Sequence, residues 1–189
     1  MKKLLLFSCL CATLLLVTSC HQREVTGMVT TPQQEEEEEY DPFVDGNKKI
    51  VALENEEIDL FLQRYGWETQ KTGTGLRIQI VKEGSGEHPV AGESVTLKYK
   101  MISLSGDILY QSSEDGEMTF IVDKSNELTG LHEAVKMMKV GGTAKVVIPS
   151  HLAFGVGGDG NRIVGRQALA MYLELVNKNN NKNQKSKLL

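Results

Sequence analysis

The sequence predicts an α+β fold: an antiparallel sheet over one short α-helix, with a helical extension ahead of it. Several short segments alternate apolar and polar residues, as half-buried strands do. One segment among them, residues 128–138, instead repeats its apolar residues at helical spacing and ends near Gly141. Strands with a single helix after the middle ones indicate an α+β arrangement rather than alternating parallel units.

Length and composition fit one domain with appendages. The chain has 189 residues, of which 40% are hydrophobic and 6% aromatic, so it can form one core. Its net charge of −4 argues against a nucleic-acid-binding surface, because such surfaces are normally basic. No nucleic-acid partner is therefore expected.

The amino terminus predicts an export signal over residues 1–19. Lys2 and Lys3 precede an apolar run that is too short to span a bilayer comfortably, and small residues precede Cys20. The tetrapeptide that ends at Cys20 resembles a bacterial lipobox, which implies acylation of this cysteine and a membrane-anchored lipoprotein of the cell envelope. We expect it to face the periplasm, at the outer membrane. The alternative is an ordinary cysteine behind a signal that is cleaved elsewhere.

Two polar segments predict disorder. Residues 20–46 contain Pro32, Pro42 and five consecutive glutamates at 35–39, whose mutual repulsion favours an extended acidic tether. Calcium binding is the alternative for the glutamates, but they lack the spacing of a calcium loop. Residues 178–189 are rich in Asn and Lys and predict a disordered tail.

Residues 47–67 predict a helical extension. Their apolar residues fall largely on one helical face with acids between them, and Gly66 is a plausible helix stop. The extension packs either on the domain that follows or on a partner. The sequence leaves both possibilities and the oligomeric state open.

The domain itself is predicted at residues 68–177, in strands joined by loops rich in glycine. Pro149 ends a strand because it donates no backbone hydrogen bond, and a glycine-rich loop runs from Gly155 to Gly165. The predicted strands cover residues 76–80, 95–100, 108–112, 118–122, 144–148 and 169–175.

The order K-V-G-x-x-A-K-V-x-I-P-x-x-L-A-F-G, from Lys139 to Gly155, resembles the signature of FKBP-type peptidyl-prolyl isomerases. The likeness continues upstream to about Gly92 and so covers roughly the last half of the chain. It implies a twisted antiparallel sheet wrapped over one short helix. It also implies peptidyl-prolyl cis-trans isomerase activity on proline-containing polypeptide clients, here exported proteins that fold at the bacterial envelope.

Other catalytic chemistries lack support in the sequence. His88, His132 and His151 show no metal-ligand spacing, and no nucleophile elbow is present. The segment from Gly155 to Gly160 formally matches G-x-G-x-x-G, but a dinucleotide site needs a helix after these glycines, and here a strand follows. We therefore expect no metal and no cofactor. Prolyl isomerisation fits, because a dry pocket that binds the twisted amide needs neither acid nor base.

The resemblance also implies which residues form the site. The implied catalytic residues are Tyr99, Tyr110, Gln111 and Phe154. The implied substrate-binding residues are Met118, Phe120, Leu128, Leu131, Ile163 and Met171. Phe120 and Leu128 fit plain core positions equally well.

Several of these positions depart from the family pattern. Phe154 stands where the family has a tyrosine whose hydroxyl binds the substrate backbone, and Leu131 stands where it usually has a tryptophan. Met118 and Met171 occupy positions that are usually aromatic, and methionine specifies a pocket less sharply. The alternative function is therefore a non-catalytic FKBP-like chaperone or protein-binding module.

Overall fold

The computed structural model describes residues 42–180, so the predicted signal, Cys20, most of the tether and most of the tail lie outside the described residues. Three α-helices, a short 3₁₀ helix and seven strands follow one another in this part. They are α1 (Pro42–Tyr65), β1 (Gln70–Lys71), β2 (Arg77–Lys82), β3 (Glu93–Ser103), β4 (Ile108–Gln111), α2 (Ser112–Asp115), β5 (Met118–Ile121), α3 (Thr129–Met137), β6 (Thr143–Ile148), the 3₁₀ helix (Ser150–Leu152) and β7 (Leu169–Asn180).

The predicted α+β fold class is confirmed. Within the described residues the strands form one antiparallel sheet in the order β1-β2-β6-β7-β3-β4, and β5 also pairs with β3. The long strand β3 therefore pairs with β7 along one edge and with β4 and β5 along the other. None of the helices in residues 42–180 combines the length and apolar character needed to cross a bilayer.

Most element boundaries differ from the sequence expectations by a few residues, and three of these differences have a clear physical cause. Helix α1 begins at Pro42 rather than Asn47, since proline suits the first helical turn. Strand β7 continues past residue 177 to Asn180, because its end pairs with the start of β3. Ser112 starts α2 instead of ending β4, and its Oγ accepts a hydrogen bond of 2.7 Å from the Tyr99 amide.

The inner face of the sheet packs on α3. Leu131, Ala134 and Val135 of α3 are buried against strand residues that include Val95 and Leu97. Gly130 permits this approach, because a Cβ there would collide with the side chain of Ile148. The sheet and α3 thus share one apolar core, as the helical spacing predicted.

The outer face of the sheet packs on the second half of α1. Ile58 and Phe61 are buried with Trp67 against a small set of sheet and loop residues. Gly66 adopts φ of +61°, and Gly66 N and Trp67 N donate to Gln63 O and Leu62 O at 3.3 and 3.0 Å. This pair of hydrogen bonds is the Schellman arrangement that glycine permits at a helix end, and it turns Trp67 back onto the sheet. The extension therefore packs on the domain.

Polar contacts fix the middle of α1 to the sheet. The Arg77 guanidinium is buried and donates to Asn55 Oδ1 at 3.1 Å and to Gly75 O at 2.7 Å. Glu54 Oε1 accepts a hydrogen bond of 2.6 Å from Ser150 N. Ahead of these contacts, α1 has no buried side chain, and Leu53 is 52% exposed.

Candidate functional site

The candidate site lies on the inner face, where the predicted apolar residues belong to a single hydrophobic cluster. Five of them are buried members of the cluster: Phe120, Leu128, Leu131, Ile163 and Met171. Four others are half-buried and pack against it: Tyr99, Tyr110, Met118 and Phe154. The half-buried four come from β3, β4, β5 and the loop after the 3₁₀ helix, and they present the surface that a ligand can touch.

Leu131 and Met171 lie beneath this surface. Both have an exposed fraction of 0%, because Leu131 faces the sheet from α3 and Met171 faces α3 from β7. They support the half-buried residues, and a ligand would reach them only if their neighbours moved.

Gln111 stands apart from the cluster and holds the start of α2. Its amide nitrogen Nε2 donates to Glu114 Oε1 at 2.6 Å, and its backbone N donates to Asp115 Oδ2 at 2.9 Å. Gln111 thus follows Tyr110 along β4, but its side-chain amide donor is already bound to Glu114.

The Tyr110 hydroxyl is bound to the glycine-rich loop, and the sequence does not predict this contact. It donates to Asp159 Oδ2 at 2.5 Å and accepts from Asn161 Nδ2 at 3.2 Å. The Arg162 guanidinium carbon lies 4.6 Å from the Tyr110 ring centroid, and its Nη1 donates to Leu109 O at 2.7 Å. The loop is therefore fastened to β4 by both a carboxylate and a guanidinium group.

Asp159 also organises the loop internally. Its Oδ1 accepts from Asn161 N at 2.9 Å and from Ile163 N at 2.8 Å, while its own N donates to Ile163 O at 3.1 Å. Gly158 adopts φ of +68°, and a Cβ there would collide with Ile163 O. These glycines therefore serve a compact loop, and no helix follows them as a dinucleotide site would require.

Burial and hydrogen bonding move the pKa of three groups near the site. The hydrogen bond to Asp159 raises the pKa of the Tyr110 phenol above its ordinary value, because ionisation would place two anions together. Desolvation raises the Asp159 pKa, but hydrogen bonds from Tyr110 and from the Asn161 and Ile163 amides outweigh it and leave the pKa lowered.

The third group with a shifted pKa is the Tyr99 phenol. Burial raises the pKa of its phenol, and the nearby carboxylates of Asp115 and Glu127 raise it further. Among residues 42–180, none accepts or donates a hydrogen bond at the Tyr99 hydroxyl. The Tyr99 phenol is therefore a protonated, uncommitted donor at neutral pH.

His132 takes a structural role. His132 is buried, its Nδ1 accepts from Asp123 N at 3.1 Å, and its Nε2 lies 3.1 Å from Ser125 O. In the described part of the chain, no group of three or more His, Cys, Asp or Glu residues is arranged to hold a metal ion.

A depression lies on the outer face of the sheet and has a volume of about 350 Å³. Its lining includes Lys98, Lys100 and Lys145. We place the candidate site on the inner face, because the isomerisation expected from the sequence requires a surface that excludes water, whereas ammonium groups retain water.

Comparisons with known proteins identify one family. The family model for FKBP-type peptidyl-prolyl cis-trans isomerase matches residues 85–176. A probable FKBP-type peptidyl-prolyl cis-trans isomerase FkpA of Neisseria meningitidis serogroup B is 33% identical over 106 residues, which cover 56% of this chain and 38% of that protein. FK506-binding protein 1 of Dictyostelium discoideum is 31% identical over 103 residues, which cover 54% of this chain and 96% of that protein.

The solved structures give the same result. The crystal structure of FkpA from Escherichia coli matches with a TM-score of 0.60 and 27% identity, over 73% of this chain and 64% of that one. The chain thus matches well under half of the Neisseria protein but nearly all of the Dictyostelium protein.

Proposed function

This chain belongs to the FKBP-type peptidyl-prolyl cis-trans isomerase family, and from that premise we propose that it isomerises X–Pro bonds in polypeptide clients. The barrier to rotation about a peptide bond is about 18–20 kcal/mol, because rotation breaks the amide conjugation. A site accelerates the rotation when it binds the twisted amide better than the planar one. No covalent step, metal or cofactor is needed.

The observation that carries the proposal is the arrangement of Tyr99, Tyr110 and Phe154 around one apolar cluster. Their rings provide a water-poor surface for the proline ring, and the buried residues beneath keep that surface in place. A fixed donor stabilises the transition state if it reaches a client backbone carbonyl beside the X–Pro bond only when that bond is twisted. We assign this donor to the Tyr99 hydroxyl, because Phe154 lacks one and the Tyr110 hydroxyl is bound to Asp159.

A refolding assay limited by proline isomerisation tests the proposal. We expect the purified full chain to accelerate the slow phase in proportion to its concentration, since uncatalysed isomerisation takes about 10–100 s. A chain with both Tyr99→Ala and Phe154→Ala should lose the acceleration while keeping its circular dichroism spectrum. Failure of the wild-type chain to change the slow phase at any concentration would refute the enzymatic role.

The cellular setting belongs to the same proposal. We infer that Cys20 carries the lipid anchor and that the isomerase domain faces the periplasm, where it assists exported proteins. The order of basic, apolar and small residues before Cys20 supports this inference, as do the bacterial relatives.

A non-catalytic chaperone on the same fold is the second candidate. The enclosure of Leu131 and Met171 and the missing hydroxyl at Phe154 favour it, because both reduce what the site offers to a proline. A chaperone would suppress aggregation of an unfolded client without changing the proline-limited phase. The same refolding assay, run with light scattering, separates the two functions.

A further inference from the structure

Helix α1 and Trp67 cover only part of the outer face of the sheet. The Tyr172 ring meets Trp67 edge to face, with centroids 5.1 Å apart, and marks the end of the covered part. Tyr172 is 37% exposed, and Lys98, Lys100 and Glu174 beyond it are exposed as well. The outer face therefore leaves a surface of long polar side chains around one aromatic ring.

Strand pairing arranges these side chains in rows. Tyr172 of β7 pairs with Lys100 of β3 on one side and with Lys145 of β6 on the other. In the next row, Glu174 pairs with Lys98 and with Thr143. The depression of about 350 Å³ described above lies among these residues, and Val81 adds an apolar wall.

The surface is locally positive on an acidic chain. The lining of the depression carries three lysines and one carboxylate, that of Glu174, whereas the whole chain has a net charge of −4. Lys98 lies 3.9 Å from Glu117, and Lys145 Nζ lies 5.3 Å from the Trp67 ring centroid. Neither Lys100 nor Lys145 forms an ion pair with a side chain in residues 42–180. Two lysines are therefore available to an anionic partner.

We propose that this surface, the lysine face (Lys98, Lys100, Lys145 and Tyr172), binds an acidic, extended segment of a client polypeptide. An apolar client residue would lie on Tyr172, and the carboxylates on either side of it would pair with Lys100 and Lys145. The charge complementarity is the argument for this partner, and the depression gives the apolar residue a place. The proposal does not depend on isomerase activity, because the lysine face lies on the opposite side of the sheet from the candidate site.

Backbone spacing sets the pattern that the lysine face would recognise. Neighbouring strands lie about 4.8 Å apart, so Lys100 and Lys145 are separated by about 10 Å, and alternate residues of an extended peptide are about 7 Å apart. Flexible lysine side chains can thus reach carboxylates placed about two residues before and after an apolar residue. Because β6, β7 and β3 are paired on both edges, the peptide binds through side chains rather than as an added strand.

A labelled, proline-free peptide tests the proposal. The probe is acetyl-Gly-Glu-Ser-Leu-Ser-Glu-Gly-amide, the control probe has Gln for both Glu, and fluorescence anisotropy with the full chain reports binding. We expect saturable binding of the acidic probe alone, weakened by added salt. The double change Lys100→Gln and Lys145→Gln should weaken it about fivefold to tenfold, as for loss of two exposed ion pairs. Glu174→Gln should strengthen it by removing the central carboxylate.

Matched variants make the test specific. Lys71→Gln with Lys124→Gln changes the charge equally at two exposed lysines elsewhere and should leave the affinity unchanged. Lys100→Gln alone leaves the Lys145–Trp67 contact intact, and it should cause part of the loss of affinity that the double variant shows.

Four outcomes would overturn the proposal. They are no saturable binding, equal binding of the Gln probe, equal effects of the two double variants, and binding that appears only after the glutamates at 35–39 are changed to Gln. The last result would assign the lysine face to the acidic run of this chain.

Discussion

Three aromatic rings surround the candidate site, and they differ in whether the para position carries a hydroxyl group that can donate a hydrogen bond to a ligand. Tyr99 has a hydroxyl with no hydrogen bond to the described residues, Tyr110 has one held by Asp159, and Phe154 has none. The polar capacity of the site therefore depends on Tyr99. The pKa of its phenol is raised by burial and nearby carboxylates, which keeps the donor protonated.

Tyr99→Phe tests this assignment at the scale of one atom. Loss of a single hydrogen bond that forms in the transition state should lower kcat/KM about twofold to tenfold, because such a bond contributes about 0.5–1.5 kcal/mol. We expect the loss mainly in kcat, measured with a proline-containing peptide substrate. Tyr110→Phe is the matched control, and a larger effect of that change on kcat would contradict the assignment.

Asp159→Asn tests the contact between the loop and β4. The carboxylate raises the pKa of the Tyr110 phenol above its ordinary value of 10.0, so the amide should bring that pKa down. Stability from a raised tyrosine pKa is fully present below the ordinary value and is lost as the pH rises through the folded value. Ultraviolet titration of the phenolate measures the shift, and Tyr110→Phe identifies which transition belongs to Tyr110. An unchanged titration would contradict the contact.

The apolar part of the site was predictable, but its polar network was not. Residues such as Phe154 and Tyr99 stand in a recognisable order of motifs and strands, so a family resemblance locates them. Asp159 is 49 residues from its partner Tyr110, and its own neighbours are glycines that suggest only a flexible loop. Nothing local signals that its carboxylate accepts three hydrogen bonds. Acidic residues inside glycine-rich loops are the only cue the sequence offers.

Only a small part of helix α1 packs on the domain. Its 24 residues span about 36 Å at 1.5 Å per residue, yet only Ile58 and Phe61 are buried. Phe61 packs on Trp67 and Tyr65 with ring centroids 5.2 and 4.5 Å away. The attachment of α1 therefore depends on these two buried side chains and on the polar contacts of Glu54 and Asn55, and Phe61 is the larger of the two buried side chains.

Phe61→Ala measures that dependence. We expect the free energy of unfolding to fall by about 3–5 kcal/mol, as for other buried phenylalanines that leave a cavity. Leu60→Ala is the matched control, because Leu60 is 52% exposed and should change stability by no more than about 0.5 kcal/mol. Urea denaturation of the full chain gives both values. Equal effects of the two changes would contradict the packing of α1 on the sheet.

Local patterns predicted most elements, and long-range contacts set the rest. Alternation located β2 to β7, and helical spacing located α3. The two-residue strand β1 has too few residues to show a period, and it forms because Gln70 and Lys71 pair with β2. The polar end of β7 reads as a tail, because its strand structure comes from pairing with β3 rather than from its composition.

At the scale of the whole molecule, the lipid anchor is the prediction with the largest consequence. We expect the wild-type chain, expressed in a bacterium, to sediment with membranes, and the Cys20→Ala chain to be released into the soluble fraction. Acyl chains account for this difference, since each methylene contributes about 0.8 kcal/mol to membrane binding. Cys9→Ala, inside the predicted signal, is the control that should still sediment. Membrane association of both variants would contradict acylation at Cys20.

The position of β7 has a consequence for the synthesis of the protein. This strand is synthesised after the other six described strands, yet it lies between β6 and β3 in the centre of the sheet. Until the ribosome has released Asn180, a nascent chain has two unprotected strand edges that invite intermolecular pairing. A member of the prolyl isomerase family thus passes through an aggregation-prone stage in its own biogenesis.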